Sequence, residues 1–155
     1  MTAVTAINRT GGTSIKGTNT NDSAGAGDVG EYISSTVASG SAVALTTATP
    51  ANVTTISLTA GDWDVSGEVL FLTTSTTSVT ALKGSASTTT ATLSSEQFVH
   101  RSAALIVGSA AAWGYAIPTA RISIAGTTTV YLVASADFTA STLGGFGVIH
   151  ARRIR

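Results

Sequence analysis

The sequence has no cysteine and few charged side chains. Without cysteine, disulfides, thiolate metal ligands and cysteine nucleophiles are excluded. Only 10% of the 155 residues are charged, whereas an average globular chain carries about a quarter. Eight basic residues balance eight acidic ones. Nucleic-acid binding needs many phosphate-neutralising cations, so this composition argues against a nucleic-acid partner.

Long apolar runs are missing as well. No stretch reaches the roughly 18 apolar residues of a membrane span, and the longest candidate, 102–117, is interrupted by Gly and Ser. The first residues, MTAVTAINRTGGTSIKG, lack the basic start and apolar run of a secretory signal. We therefore expect a protein made in the cytoplasm, without membrane insertion and without a cleaved leader.

The sequence does contain alternation with a period of two. From residue 29 onward, short runs rich in Val, Ile, Thr and aromatics are separated by turn residues, which is typical of strands. In the clearest run, Trp63, Val65 and Phe71 share one face. Repeated Thr and Ser pairs disfavour helix. The pattern predicts about eight or nine strands and an all-β fold, a single antiparallel β-sandwich of jelly-roll type over residues 29–155.

Two local features add detail to this prediction. Pro118 predicts an edge strand or a turn, because proline cannot donate to a central ladder. Residues 121–125 and 128–134 flank Gly126 and predict a hairpin.

Residues 1–28 differ from the rest. They are rich in Gly, Asn, Thr and Ser and hold few large apolar side chains. This composition predicts a short, extended and flexible N-terminal arm, which is either a frayed tail or an anchor.

Few residues suggest catalysis or metal binding. His100 and His150 are far apart in sequence and no G-x-S-x-G elbow is present, so we expect both histidines to form structural hydrogen bonds near strand ends rather than a hydrolytic triad. Asp62, Asp64 and Glu68 share one strand face and predict a solvent-facing row, with calcium as the alternative. We predict no catalytic, cofactor or metal site, and hence a protein that is not an enzyme.

The one charge cluster is Arg152, Arg153 and Arg155 at the C-terminal end. Three arginines neutralise too few phosphates for useful nucleic-acid binding. They are predicted to pair with carboxylates of their own or a neighbouring subunit. Trp63 is predicted in the core, whereas Trp113, among Ala and Gly, is predicted at a surface or interface. The predicted oligomer or partner contacts are therefore Arg152, Arg153, Arg155 and Trp113.

Four strings occur in order: GTNTNDSAGAGDVGEYISSTV, TTISLTAGDWDVSGEVLF, ARISIAGTTTVYLVASADF and FGVIHARRIR. Over residues 17–155 the chain resembles the C-terminal β-sandwich heads of tailed-bacteriophage tail fibres and capsid decoration fibres. Those heads are similar to the trimeric jelly-roll knobs of the tumour-necrosis-factor and C1q type. The resemblance implies a homotrimer on the virion surface that contacts other capsid or tail proteins through the arm, residues 1–28.

The resemblance leaves the role open. The first expectation is a surface knob that decorates or cements the capsid or caps a fibre. The alternative is a receptor-binding tip that recognises a host surface glycan or protein, and an enzyme acting on surface polysaccharide is a third. Fewer than about thirty residues precede the head and they hold no heptads, so we expect no long shaft within this chain. The low charge agrees with burial of surface by identical copies.

Overall fold

The computed structural model describes residues 20–73, 77–95, 98–106, 112–139 and 142–155, with residues 98–106 described as backbone only. Within this part the chain is all-β, with nine strands and one short 3-10 turn, Ser39–Ser41. The strands are β1 (Tyr32–Val37), β2 (Val43–Ala44), β3 (Ala51–Leu58), β4 (Gly61–Thr73), β5 (Ser78–Ser87), β6 (Phe98–Ile106), β7 (Ala112–Ile124), β8 (Thr128–Thr139) and β9 (Leu143–Arg153). Among the described residues, no helix is long and apolar enough to cross a membrane.

The strands form two antiparallel sheets. The first has the order β1-β9-β4-β7, with β2 also paired to β9, and the second has the order β3-β8-β5-β6. Alternate residues of both sheets meet in one apolar core, which includes Trp63 and Phe71 from the first sheet and Leu58, Leu82 and Leu132 from the second. All five are at most 1% exposed. The predicted antiparallel β-sandwich and the predicted burial of Trp63 are confirmed.

The pairs of strands are nested along the chain. β5 pairs with β6, β4 with β7, β3 with β8, and both β1 and β2 with β9. The ladders between β4 and β9 and between β5 and β8 join these pairs side by side into the two sheets. The described chain therefore resembles one long antiparallel ribbon that is rolled around its core.

The predicted hairpin around Gly126 is wrong. β7 ends at Ile124 and belongs to the first sheet, whereas β8 begins at Thr128 and belongs to the second. Ile122 on one side and Val130 on the other both contact the core, so the short connection crosses between sheets. The sequence could not distinguish the two cases, because both need a turn residue between two alternating runs.

The edge position predicted from Pro118 is confirmed. β7 is an edge strand of the first sheet, and Pro118 lies inside it. The register against β4 shifts between Val65 and Gly67, where the two residues after Ile117 are skipped. A proline is tolerated at such an edge irregularity, since no central ladder bond is lost there.

Residues 20–31 lead into the first sheet. Residues 20–29 are exposed, and Val29 is 69% exposed. The Gly30 N–H donates to the Arg153 carbonyl at 2.9 Å, and the Arg153 N–H donates to the Glu31 carbonyl at 2.9 Å. The chain just before β1 is thus fixed beside the end of β9. The arm predicted for residues 1–28 lies outside the described residues over 1–19, and its boundary stays a prediction.

Candidate functional site

The outward side of the first sheet carries apolar residues where a water-facing sheet would carry polar ones. Along β4 and β9 most of the inward residues are buried and the alternate, outward residues are mostly half-buried. Four of the outward residues are large and apolar: Leu70 and Leu72 on β4, and Phe146 and Val148 on β9. These four residues are called the apolar patch below. Antiparallel sheets with one solvated side normally alternate apolar-in with polar-out, so the patch marks a surface suited to contact.

The residues of the patch are neighbours on adjacent strands, and small residues border them on β7. Leu70 lies opposite Phe146 on β9 and opposite Gly114 on β7. The Leu70 side chain leans over Gly114, with Cδ2 3.3 Å from the point where a Cβ of residue 114 would stand. Ala116, also on β7, lies opposite Glu68. Small residues beside large apolar ones let another surface approach the sheet closely.

The outward row continues into a polar half. His150 Nε2 lies 2.8 Å from Ser66 Oγ on the neighbouring strand. On its other side the His150 ring lies 5.8 Å from the Tyr32 ring, at an interplanar angle of 31°. The described contacts of His150 are therefore a hydroxyl and an aromatic ring, which confirms the hydrogen bond predicted for this histidine. The His100 side chain lies outside the described residues.

The Arg153 side chain is buried and forms its described contacts within its own chain. Its side chain is 5% exposed, and its Nε donates to Glu31 Oε2 at 2.9 Å. Nη1 donates to the Ala60 carbonyl at 2.8 Å, Nη2 donates to the Thr59 hydroxyl, and the guanidinium lies 4.2 Å from the centre of the Trp63 ring. The Gly27 N–H and then Arg153 hydrogen-bond to the Glu31 carboxylate and lower its pKa. These buried contacts of Arg153 join the segment before β1 to the start of β4 and the end of β9.

Asp62 contradicts the predicted solvent-facing row. It is 4% exposed, because two arginines cover it. Arg121 donates to both of its carboxylate oxygens at 2.8 Å, and Arg155 donates to Oδ2. The hydrogen bonds from Arg121 and then from Ser123 hold the pKa of Asp62 well below its usual range. The predicted exposure of Asp62 is wrong because alternation places a residue on a face of the strand but does not show which other side chains cover that face.

The four predicted contact residues lie in two places. Arg152, Arg153 and Arg155 share one end of the first sheet, where Arg152 is exposed and the Arg155 side chain is 75% exposed. Trp113, 38% exposed, lies opposite Phe71 near the other end. Arg152 lies opposite Asp64 on β4, and Phe71 lies seven residues further along the same strand. The two places are therefore about 23 Å apart along the strand. Contacts of Arg152, Arg155 and Trp113 with a second copy stay a prediction, whereas the buried Arg153 pairs with a carboxylate of its own chain.

The alternation of the sequence did not by itself predict the apolar patch. Residues 69–72 read Val-Leu-Phe-Leu, a continuous apolar run at the end of an otherwise alternating strand. Such runs are typical of strands covered on both faces. This run was the available signal for the patch.

A cleft of about 440 Å³ opens elsewhere, at the edge of the sandwich. Residues 87–89 and 92–95, at the end of β5 and after it, line one side, and residues 120–122 of β7 line the other. Hydroxyl groups dominate the first side, and Arg121 contributes to the second although its guanidinium binds Asp62. The cleft offers hydrogen-bonding groups together with the apolar side chains of Ala86 and Leu93.

Among the described residues, no three His, Cys, Asp or Glu side chains stand close enough together to hold a metal ion. Comparison of the chain with protein-family models, with curated proteins and with solved structures finds no match. The family resemblance of the sequence therefore stays a prediction, and the function has to be argued from the geometry.

Proposed function

We propose that this chain is a non-enzymatic structural protein that forms a homotrimer through the outward side of its first sheet. In this proposal the trimer is a jelly-roll knob on the surface of a tailed-phage particle, where it decorates or cements the capsid or caps a fibre. The observation that carries the proposal is the apolar patch, Leu70, Leu72, Phe146 and Val148, on a sheet face that lies outside the sandwich core.

The nested strand pairing supports the jelly-roll assignment. A jelly roll is a β-sandwich of about eight strands built from two Greek keys. Rolling a ribbon with the pairs β5–β6, β4–β7, β3–β8 and β2–β9 places alternate pairs in opposite sheets, as in the orders β1-β9-β4-β7 and β3-β8-β5-β6.

A second copy of the chain is the occupant that best fits the face. The outward side carries exposed charges of both signs, Glu68 near the patch and Arg152 at the strand end, so copies can complement one another. The whole chain has no net charge and only 10% charged residues, which favours association over repulsion. In a trimer each contact joins one part of the face to a different part of the next copy. This is the heterologous arrangement, which forms a ring where the rotation between copies closes. The number three and the phage particle come from the sequence resemblance.

Solution assembly tests the proposal. We expect sedimentation velocity to show a trimer for the natural chain, and Leu70→Asp and Phe146→Asp to shift it to monomer while the circular dichroism stays β-rich. Thr55→Asp is the matched control, because Thr55 is an exposed residue of β3 in the other sheet. A natural chain that stays monomeric at high concentration would refute the assembly.

A second assay tests the location. Labelled full-length chain is added to particles of the encoding phage that lack it, and to host cells. The knob proposal expects saturable binding to particles, seen as added density by cryo-electron microscopy, and no binding to cells. Binding to cells that blocks adsorption would support the receptor-binding tip instead. The hydroxyl-lined cleft at residues 87–95 is the feature that favours this alternative, since hydroxyl groups hydrogen-bond sugars.

A further inference from the structure

We infer that Glu68 of one copy forms an ion pair with Arg152 of the next copy across the outward side of the first sheet. The inference rests on the proposed assembly and specifies how copies are oriented within it. It follows from the surroundings of the two side chains and from the distribution of charge along the sheet.

Glu68 stands at the border of the apolar patch. Its neighbours across the strands are Val148 on β9 and Ala116 on β7. Its Oε1 leans over Gly114, away from β9. Among the described residues it forms no salt bridge. A surface that covers the patch takes this carboxylate out of water, and an unpaired buried charge is strongly unfavourable. The covering surface therefore has to bring a cation.

The other end of the same sheet carries a cation that no described salt bridge takes up. Arg121, Arg152 and Arg155 lie there beside the carboxylates of Asp62 and Asp64. Arg121 and Arg155 both bind Asp62. Arg152 is exposed, lies opposite Asp64 and Tyr32, and forms no salt bridge among the described residues. It is the cation of this face that is available to a partner.

The two side chains do not pair with each other within one copy. Arg152 is level with Asp64, four residues from Glu68, and on the adjacent strand. Their backbones are therefore about 14 Å apart at ordinary strand spacings. At this separation no salt bridge joins the two side chains within one copy. A neighbouring copy that is rotated so that its strands cross those of the first copy brings one group over the other.

Charge reversal tests the pair. Sedimentation equilibrium of the full chain is compared for the natural protein, Glu68→Arg, Arg152→Glu and the double variant. Each single reversal places like charges together, and we expect the dissociation constant of assembly to rise by at least about tenfold. The double variant restores opposite charges, and we expect it to assemble within about threefold of the natural chain. Thr55→Arg on the other sheet is the control and leaves assembly unchanged.

The outcomes separate this inference from the proposed function. Both positions are exposed, so thermal unfolding checks that the variants fold. If the natural chain assembles but the single reversals assemble equally well, or the double variant stays dissociated, the ion pair is refuted and the assembly stands. If the natural chain and Leu70→Asp are both monomeric, the assembly itself is refuted, and the pair with it.

Discussion

Replacing Arg153 by Met removes the charge from the buried group at the end of the sandwich. The Arg153 guanidinium serves Glu31, the Ala60 carbonyl and the Thr59 hydroxyl, and it stacks on Trp63. Met keeps much of the apolar contact with Trp63 but leaves the Glu31 carboxylate, whose side chain is 10% exposed, without its cation. Removing one partner of a buried pair costs about 3–5 kcal/mol, and we expect Arg153→Met to lose that much stability.

Urea unfolding followed by circular dichroism measures the loss. Thr55→Met is the control: Thr55 is exposed on β3, in the sheet away from the proposed interface, and we expect a change within about 0.5 kcal/mol. The double variant Glu31→Gln with Arg153→Met removes both charges. It should be more stable than the sum of the single losses predicts, by at least about 1 kcal/mol, because the two groups interact directly. An Arg153→Met variant that loses less than about 1 kcal/mol, or strictly additive single losses, would refute the argument.

Three further predictions concern stability. The pKa values of Asp62 and Glu31 are lowered, so their charged forms stabilise the fold above the unfolded pKa near 4, and this stability is lost as pH falls through the lower, folded values. The stability of Asp62→Asn should therefore fall less steeply with acid than that of the natural chain. An equal slope in acid titration would contradict this. Gly147 has φ +146°, and a Cβ there would collide with the Glu68 carbonyl oxygen. Gly147→Ala should therefore lower the unfolding midpoint clearly more than the control Gly126→Ala, because a Cβ at residue 126 meets nothing within 4 Å. Similar midpoints for the two variants would contradict the close approach of β4 and β9. Phe71→Ala, at a fully buried position, should cost about 3–5 kcal/mol in urea unfolding, and a loss under about 1 kcal/mol would place Phe71 outside the core.

The sequence predicted the class of fold and its best core positions, because alternation reports directly on which side of a strand is buried. Trp63 and Phe71 follow this rule and are fully buried. Alternation does not report which strands pair. The segment around Gly126 shows the limit, because two alternating runs joined by a short turn fit a hairpin and a crossing between sheets equally well.

The candidate site could be predicted only in part, because it depends on contacts between residues far apart in sequence. Arg153 and Glu31 are 122 residues apart, and no local pattern pairs them. The shared strand face predicts Asp62 in a solvent-facing row, yet Arg121 and Arg155 cover it. Leu70 carried a local signal in the apolar run around it, since a strand that needs only one buried face has no reason to be apolar on both.

The nested order of strand pairs has a consequence for kinetics. β5 and β6 are close along the chain, whereas the pair of β1 with β9 joins residues more than about a hundred positions apart and closes at a high entropic cost unless the inner pairs have formed. We expect the ribbon to close from β5 and β6 outward, so that Glu31 and Arg153 meet after the rate-limiting step. Interactions formed that late slow unfolding and leave the folding rate unchanged. We therefore expect this end of the molecule to contribute to how long a folded copy survives.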